Sequence, residues 1–265
     1  MYKFKDPFCL DDTLDCGQVF RWNKSGNIWK GIAYGKYLEI EQKDDSLCFY
    51  NTSERDFKGI WYNYFDLGRD YRRILSIIER NPTLKKITAV CSGIRVINQQ
   101  PWETLCSFII SQNNNIPRIK GIIDRLCVGF GKKIDGGYTF PEAEVIAELC
   151  EEDLGPLRAG FRHRYILDAA KKAENLDDLR TLTIDEARKE LVSILGVGKK
   201  VADCVLLFGL GFTEAFPEDV WIKRAMESLF PEGLPDEVKP FAGIVQQYIY
   251  HYARTCKEFS SIQTP

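Results

Sequence analysis

The sequence contains only two histidines, His163 and His251, too few for a histidine-built catalytic metal centre. Its nine cysteines, Cys9, Cys16, Cys48, Cys91, Cys106, Cys127, Cys150, Cys204 and Cys256, include no Cys-x-x-Cys pair. That spacing argues against structural zinc and against an iron–sulfur cluster. A secretory leader, a long apolar run and a paired-cysteine framework are all missing, so free thiols in a reducing cytoplasm are expected. Net charge is missing too: 36 Lys and Arg stand against 38 Asp and Glu. Composition alone therefore makes no electrostatic case for a polyanionic partner. Neither an internal repeat nor a low-complexity tract interrupts the 265 residues, which suffice for one large or two ordinary domains.

What is present is unevenly placed. Arg118, Lys120, Arg158, Arg162, Arg164, Lys171, Lys172, Lys199, Lys200, Lys223 and Arg224 gather in the middle and late chain, around acidic runs such as Glu142 to Asp153. A local basic face suits salt-sensitive binding to nucleic acid, and a solvated surface explains it equally well. The first fifty residues read as short strands, Val19 to Trp22, Ile28 to Ala33, Tyr37 to Glu41 and Leu47 to Tyr50, with turns at 23–27, Tyr34-Gly35 and 43–45. From Ser53 the period becomes helical. Tyr71, Ile74, Leu75 and Ile78 mark one face, and Pro82 to Ile94 gives a second stretch. After a junction at Gln99-Gln100-Pro101, helices carry Leu105, Ile109 and Ile110, then Ile119, Ile122, Ile123 and Leu126. Glu144 to Leu154, Tyr165 to Ala173, Ile184 to Ile194 and about Val238 to Cys256 complete them. Strands followed by helices predict an α+β class, with a small antiparallel sheet on a helical body.

The most informative segment is Leu191 to Met226. Leu191, Ile194 and Leu195 form an apolar helical edge, Gly196-Val197-Gly198 breaks it, and Val201, Val205 and Phe208 resume it. The pattern is a helix, a tight glycine hairpin and a second helix, whose free N–H groups can receive a phosphate. An ordinary helix-turn-helix packing unit fits the glycines equally well. The P-loop spacing is absent. Lys200 falls in the first turn of the second helix, where the helix dipole and Lys199 both disfavour a further positive charge. A neutral amine there can attack a sugar carbon and form a Schiff base. The alternative is that both lysines only touch phosphate. In Phe216-Pro217-Glu218-Asp219 the proline suits the first turn of another helix, and the carboxylate can stabilise an oxocarbenium-like charge or simply cap that helix.

With these residues in view, the chain resembles the helix-hairpin-helix, Gly-Pro-Asp type DNA glycosylases, and among them the 8-oxoguanine DNA glycosylase/lyase family. Four further motifs carry the resemblance along nearly the whole chain. They are Cys16-Gly17-Gln18-Val19-Phe20-Arg21-Trp22, Phe108 to Ile116 with its asparagine run, Gly160-Phe161-Arg162-His163-Arg164-Tyr165, and Ala242-Gly243-Ile244-Val245-Gln246. The resemblance implies a TATA-binding-protein-like sheet domain over 1–98 and a helical glycosylase domain over 99–265, with the hairpin unit at about 184–210. It implies that Lys200 is the nucleophile and Asp219 the essential carboxylate. Gly17, Cys204, Pro217, Gln246 and Tyr250 would form the base pocket. The Gly17 carbonyl would sense the N7 proton that oxidised guanine has and guanine lacks. Gln246 and Tyr250, four apart on one helical face, would meet the Watson–Crick edge and the ring of a flipped base. Asn113, Arg118, Phe161 and Arg162 would fill the vacated stack and hold the opposite cytosine. Gly196, Gly198, Lys199 and Val201 would meet the DNA backbone.

Read alone, Gly17 fits a tight turn, while Cys204, Gln246, Tyr250 and Phe161 fit core or interface positions, and Asn115 fits the cap of the helix begun by Ile116-Pro117. Phe161 stands where eukaryotic members commonly have tyrosine, Tyr250 where they have phenylalanine and Trp221 where they have histidine. Ring faces survive these changes, whereas ring-tip hydrogen bonds, phosphate contact and opposite-base preference do not carry over with them.

The implied activity is bifunctional: excision of 8-oxoguanine from duplex DNA, then strand cleavage by β-elimination. No metal or organic cofactor is expected in the chemistry, and a metal held by hairpin carbonyls would be structural. Double-stranded DNA is the expected partner, the chain is expected to be a monomer, and a eukaryotic source would place it in the nucleus. The rival readings are a non-catalytic hairpin module that binds damaged DNA, against which the Lys200 and Asp219 pairing speaks, and an alkylbase glycosylase, which would lack the hairpin lysine.

Overall fold

The computed structural model describes residues 1–4, 6–90 and 93–256. The strands are β1 (Tyr2–Lys3), β2 (Trp22–Ser25), β3 (Ile28–Ala33), β4 (Lys36–Lys43) and β5 (Ser46–Tyr50), with a short helix α1 (Leu10–Asp15) between the first two. They form one antiparallel sheet in the order β1-β5-β4-β3-β2. Alternation explains its faces: in β4, Leu38 and Ile40 are fully buried while their neighbours face outward. Tyr34 and Gly35 both take positive φ, as a two-residue hairpin turn requires. After α2 (Glu54–Asp56), a π-helical turn (Phe57–Trp61) and α3 (Tyr62–Tyr64) cover the apolar face, where Trp22 Nε1 donates to Tyr64 Oη at 2.7 Å.

The expected strand Val19 to Trp22 begins only at Trp22. The segment before it is held by side chains instead of a ladder. Gln18 Nε2 donates to Arg95 O at 2.7 Å, its Oε1 accepts from Ile97 N at 2.8 Å, and its own carbonyl accepts from Gln99 Nε2 at 2.8 Å. These bonds fasten the start of the sheet to the stretch that leads into the helices.

The body comprises α4 (Tyr71–Ile78), α5 (Pro82–Val90), α6 (Pro101–Ser111), α7 (Ile116–Phe130), α8 (Ala143–Ala147), α9 (Arg162–Lys171), α10 (Ile184–Val192), α11 (Lys199–Cys204), α12 (Val220–Leu229) and α13 (Ala242–Thr255). A two-stranded hairpin, β6 (Lys133–Ile134) and β7 (Gly137–Tyr138), was not expected. Helix α6 is buried on nearly every side, Thr104 to Ile110 included, and so forms the axis of the core.

Several helices are shorter than their apolar lines. Helix α5 stops at Val90, and Gly93 at φ +94° turns the chain before Ile94; residues 91–92 of that expected helix lie outside the described residues. Helix α8 stops at Ala147, and Asp153 then accepts from Cys150 N in a turn. The stretch expected as one helix from Val238 opens as a 3₁₀ turn, Asp236–Phe241, because Pro240 lacks the N–H a continuous α-helix needs there. As a result α13 starts at Ala242, which sets the face that Gln246 and Tyr250 present.

Candidate active site

Helix α10 opens with a capping box: the Thr183 hydroxyl takes the Glu186 N–H and the Glu186 carboxylate takes the Thr183 N–H. The chain then reverses through Gly196, at φ +79°, and Gly198 caps α11. A Cβ on Gly196 would lie 2.3 Å from the Tyr165 ring, so the hairpin closes only with glycine there. Two side chains tie it down. Asp168 Oδ2 accepts from Leu195 N at 2.7 Å, and Gln112 Nε2 donates to Gly196 O at 3.0 Å. Burial raises Asp203 above the usual carboxylate range, although Arg188 Nε at 2.7 Å opposes the rise. That pair clamps α10 to α11 and lies outside the chemistry.

The opening N–H groups of α11 face outward without intrahelical acceptors. Gly198 and Lys199 are exposed, and Lys199 reaches Glu218 at 4.0 Å. Val201 packs its side chain into the core, so only its backbone N–H is left for a phosphate. After Cys204 the helix widens into a π-helical turn, Val205–Gly209.

Lys200 points the other way. It lines a cleft with Cys16, Gly17, Phe108, Cys204, Phe208, Pro217, Asp219, Gln246, Gln247 and Tyr250. The fold thus brings together every residue expected for nucleophile, carboxylate and base pocket. Lys200 Nζ lies 4.9 Å from the Phe108 ring centroid. Burial pushes the Cys204 thiol up to about 11, against the pull of Lys200, so it stays a neutral thiol at neutral pH. Asp219 is the N-cap of α12, its Oδ1 accepting from Ile222 N at 2.8 Å. One oxygen is anchored, which leaves the carboxylate aimed at the cleft. The proline reading needs correction. Helix α12 begins at Val220, so Pro217 precedes the cap instead of occupying the first turn, and its carbonyl accepts from Gln246 Nε2 at 3.1 Å.

The cleft holds about 50 Å³, room for a few waters and not for a purine. The Tyr250 ring is seated against Gly17 on one wall. A Cβ on Gly17, which has φ +78°, would lie 3.2 Å from Tyr250 Oη. Burial pushes the Tyr250 phenol up to about 12, and Arg254 stands 5.5 Å from its ring centroid. Phe108, Phe208 and Gln247 line the cleft without having been given roles from sequence. The Gln246-Gln247 doublet was the available signal, obscured because consecutive helical residues ordinarily face different ways.

The remaining candidates sit on an adjoining face. Phe161, 48% exposed, projects into solvent, which removes its reading as core, and Asn113 (φ +47°) and Arg118 are exposed beside it. Asn115 does cap α7, its Oδ1 accepting from Arg118 N at 3.0 Å. Arg162, 3% exposed, turns inward. Its guanidinium donates to Gln112 O, to Asn113 O at 3.2 Å and to Ala159 O at 3.1 Å, and stacks 4.4 Å from the Phe161 ring centroid. It buttresses the Asn113 turn and the aromatic at once. Burial, with Arg118 nearby, lowers its ordinarily very high pKa.

His163 Nε2 accepts from Ala159 N at 3.1 Å, which requires the neutral ring, and burial lowers its pKa below 6.5. A depressed pKa means that the unfolded chain binds the proton first, so this bond contributes fully above pH 6.5 and is lost as pH falls through the lowered value. Exchange protection of the Ala159 amide is expected to drop as pH falls below 6.5, and not to drop in His163→Gln, whose amide oxygen still accepts.

Among the described residues no cluster of three or more His, Cys, Asp or Glu side chains could hold a metal ion. Of the hairpin carbonyls, Gly196 O is taken by Gln112 and Ile194 O by Val197 N.

Comparison with known proteins identifies the family. Residues 2–105 match the model of the 8-oxoguanine DNA glycosylase N-terminal domain, and residues 106–239 that of the HhH-GPD superfamily base excision DNA repair proteins. The N-glycosylase/DNA lyase of Saccharomyces cerevisiae is 32% identical over 265 residues, covering 84% of this chain and 70% of that protein. The structure of MBOgg1 with a low-affinity DNA ligand superposes with a TM-score of 0.88 at 41% identity, covering 93% of this chain and 92% of that one. The Clostridium acetobutylicum 8-oxoguanine glycosylase/lyase, bound to double-stranded DNA with cytosine opposite 8-oxoguanine, gives 0.87 at 38% identity, covering 96% and 97%. This chain therefore belongs to the 8-oxoguanine DNA glycosylase family of the helix-hairpin-helix base excision repair superfamily.

Proposed function

We propose that this chain excises 8-oxoguanine from duplex DNA and then cleaves the strand, with Lys200 and Asp219 carrying the chemistry. The observation that supports this most is the convergence of Lys200, Asp219, Gly17, Gln246 and Tyr250 on one cleft beside the glycine hairpin. Phosphate settles on the N–H groups of Gly198, Lys199 and Val201, with Lys199 adding charge. Phe161 enters the stack, while Asn113 and Arg118 meet the opposite base over the buttress that Arg162 provides. The lesion swings into the cleft as Tyr250 withdraws from Gly17. The Gly17 carbonyl accepts from N7–H, and the Gln246 amide meets the Watson–Crick edge.

The Lys200 amine gives its electron pair to C1′ while the glycosidic bond breaks, and the departing base takes that bond's electrons and the proton shed by the attacking nitrogen. Asp219, capping the N-terminus of α12, stabilises the positive charge on the sugar. The aminal then opens: the nitrogen pair forms C1′=N as the C1′–O4′ bond breaks and O4′ takes a proton; the resulting Schiff base acidifies C2′–H, and loss of that proton expels the 3′ phosphate. No step requires a metal or an organic cofactor.

Residues 1–98 and 99–265 serve as sheet and catalytic domains by chain order in this reading, while α4 and α5 of the first stretch pack into the core of the helical body and Gln99 N–H donates to Phe208 O at 2.7 Å. No described helix is long and apolar enough to cross a membrane. We place the protein, as a monomer, in the cytoplasm of a prokaryote or in a nucleus, where its DNA is. Incubation with 8-oxoguanine duplexes under borohydride, followed by peptide mapping, tests the reading. The trapped sugar is expected on Lys200, and an adduct on another residue, or none, overturns it.

A further inference from the structure

Behind the cleft, one file of hydrogen bonds joins the two sides of the base position. Pro217 O accepts from Gln246 Nε2 at 3.1 Å, Gln246 Oε1 accepts from Gln247 Nε2 at 2.6 Å, and Gln247 Oε1 lies 3.1 Å from the Cys16 thiol. Gln18 Nε2 closes the file on Cys16 Sγ at 3.2 Å. The Cys16 thiol also has Thr13 O within 3.3 Å. Gln246 and Gln247 are 4% and 3% exposed, so their mutual bonds are shielded from bulk solvent.

The direction of the file is set at one end. A carbonyl only accepts, so Pro217 obliges Gln246 to turn its NH₂ toward it, which leaves Oε1 toward Gln247. Gln247 then has to present its own NH₂, because two amide oxygens at that spacing repel. Its oxygen falls to Cys16, whose thiol can donate. Burial pushes that thiol up to about 12, so it keeps the proton the bond requires. Neither amide turns over without losing two bonds.

We infer that Gln247 is a positioning residue that sets base identity: together with the Pro217 carbonyl it holds which end of the Gln246 amide donates and which accepts, and so restricts the cleft to purines with a guanine-type edge. This rests on the reading of the cleft as the 8-oxoguanine site. A free glutamine amide is ambidextrous. Rotated by half a turn, it serves guanine's N1–H and O6 or adenine's N1 and N6–H₂ equally well. With its polarity locked, an adenine edge sets donor against donor and acceptor against acceptor, and a dry site discriminates strongly against such mismatches. The Gly17 carbonyl cannot supply this selection, since 8-oxoadenine carries the same N7–H and O8 as 8-oxoguanine.

Single-turnover excision of 8-oxoguanine and of 8-oxoadenine opposite the same base tests the assignment, with cleavage at a preformed abasic site as the reference that needs Lys200 but no base. Gln247→Met keeps the length of the side chain and removes both polar ends. It is expected to narrow the ratio of the two excision rates by about tenfold, while abasic-site cleavage stays within about twofold. Cys16→Ser retains a donor to Gln247 and is expected to preserve the ratio. Cys16→Ala leaves Gln247 in place and narrows the ratio in the same direction, which keeps the test decisive if Gln247→Met does not fold. An unchanged ratio in both Gln247→Met and Cys16→Ala overturns the inference, as does an equal loss of all three activities in folded Gln247→Met. Release of neither base by the unaltered chain, with abasic-site cleavage intact, overturns instead the functional reading beneath it.

Discussion

Lys200→Gln is expected to eliminate the borohydride-trapped adduct and to slow base release by on the order of 10⁴-fold or more. The amide nitrogen of glutamine has no available electron pair, so the covalent route closes entirely, whereas a general-acid defect would only slow it. Glutamine retains a stem that can pack toward Phe108, 4.9 Å from the wild-type amine, and the hairpin contacts of Leu195 and Gly196 are untouched. Duplex binding should therefore persist, since the α11 N–H groups and Lys199 remain. Electrophoretic retardation beside trapping separates the two effects. Retained adduct in this variant would move the nucleophile elsewhere.

Asp219→Asn is expected to lower base release by about 10²- to 10³-fold with little change in melting temperature. Asparagine keeps an oxygen for Ile222 N, now 2.8 Å from Asp219, so α12 remains capped while the charge disappears. Asp219→Ala removes both and should also lose about 1 kcal/mol of stability. Trapping at a preformed abasic site should fall less than excision, because no departing base then leaves the sugar cationic. Equal losses in excision and abasic trapping would assign Asp219 to binding or to proton transfer in the lyase step, not to charge stabilisation. Comparing the two rates in Asp219→Asn decides between them.

Local chemistry made much of the molecule readable. Alternation placed Leu38 and Ile40 inside the sheet, and the helical period with its glycine break located α10, the hairpin and α11. Lys200 and Asp219 stood out because amine and carboxylate each followed a helix-start signal. What escaped was decided by contacts between distant segments. Arg162 lies 50 residues from Gln112, so its capture by carbonyls of the asparagine run leaves no trace in spacing. Gln18 replaces part of an expected strand because its partners, Arg95 and Ile97, come from far along the chain. Pro217 carried a genuine helix-start signal, yet the helix starts only at Val220, after Asp219, the cap that takes the Ile222 N–H.

The Tyr250 ring seated against Gly17 bears on how this protein coexists with the cell's free purines. Nucleobases in solution bring no phosphodiester to anchor them, and so lack the binding energy needed to dislodge an aryl group from its resting place. Soluble guanine derivatives should be poor competitors. On the proposed function, inspection of a base is thereby deferred until a strand has been gripped.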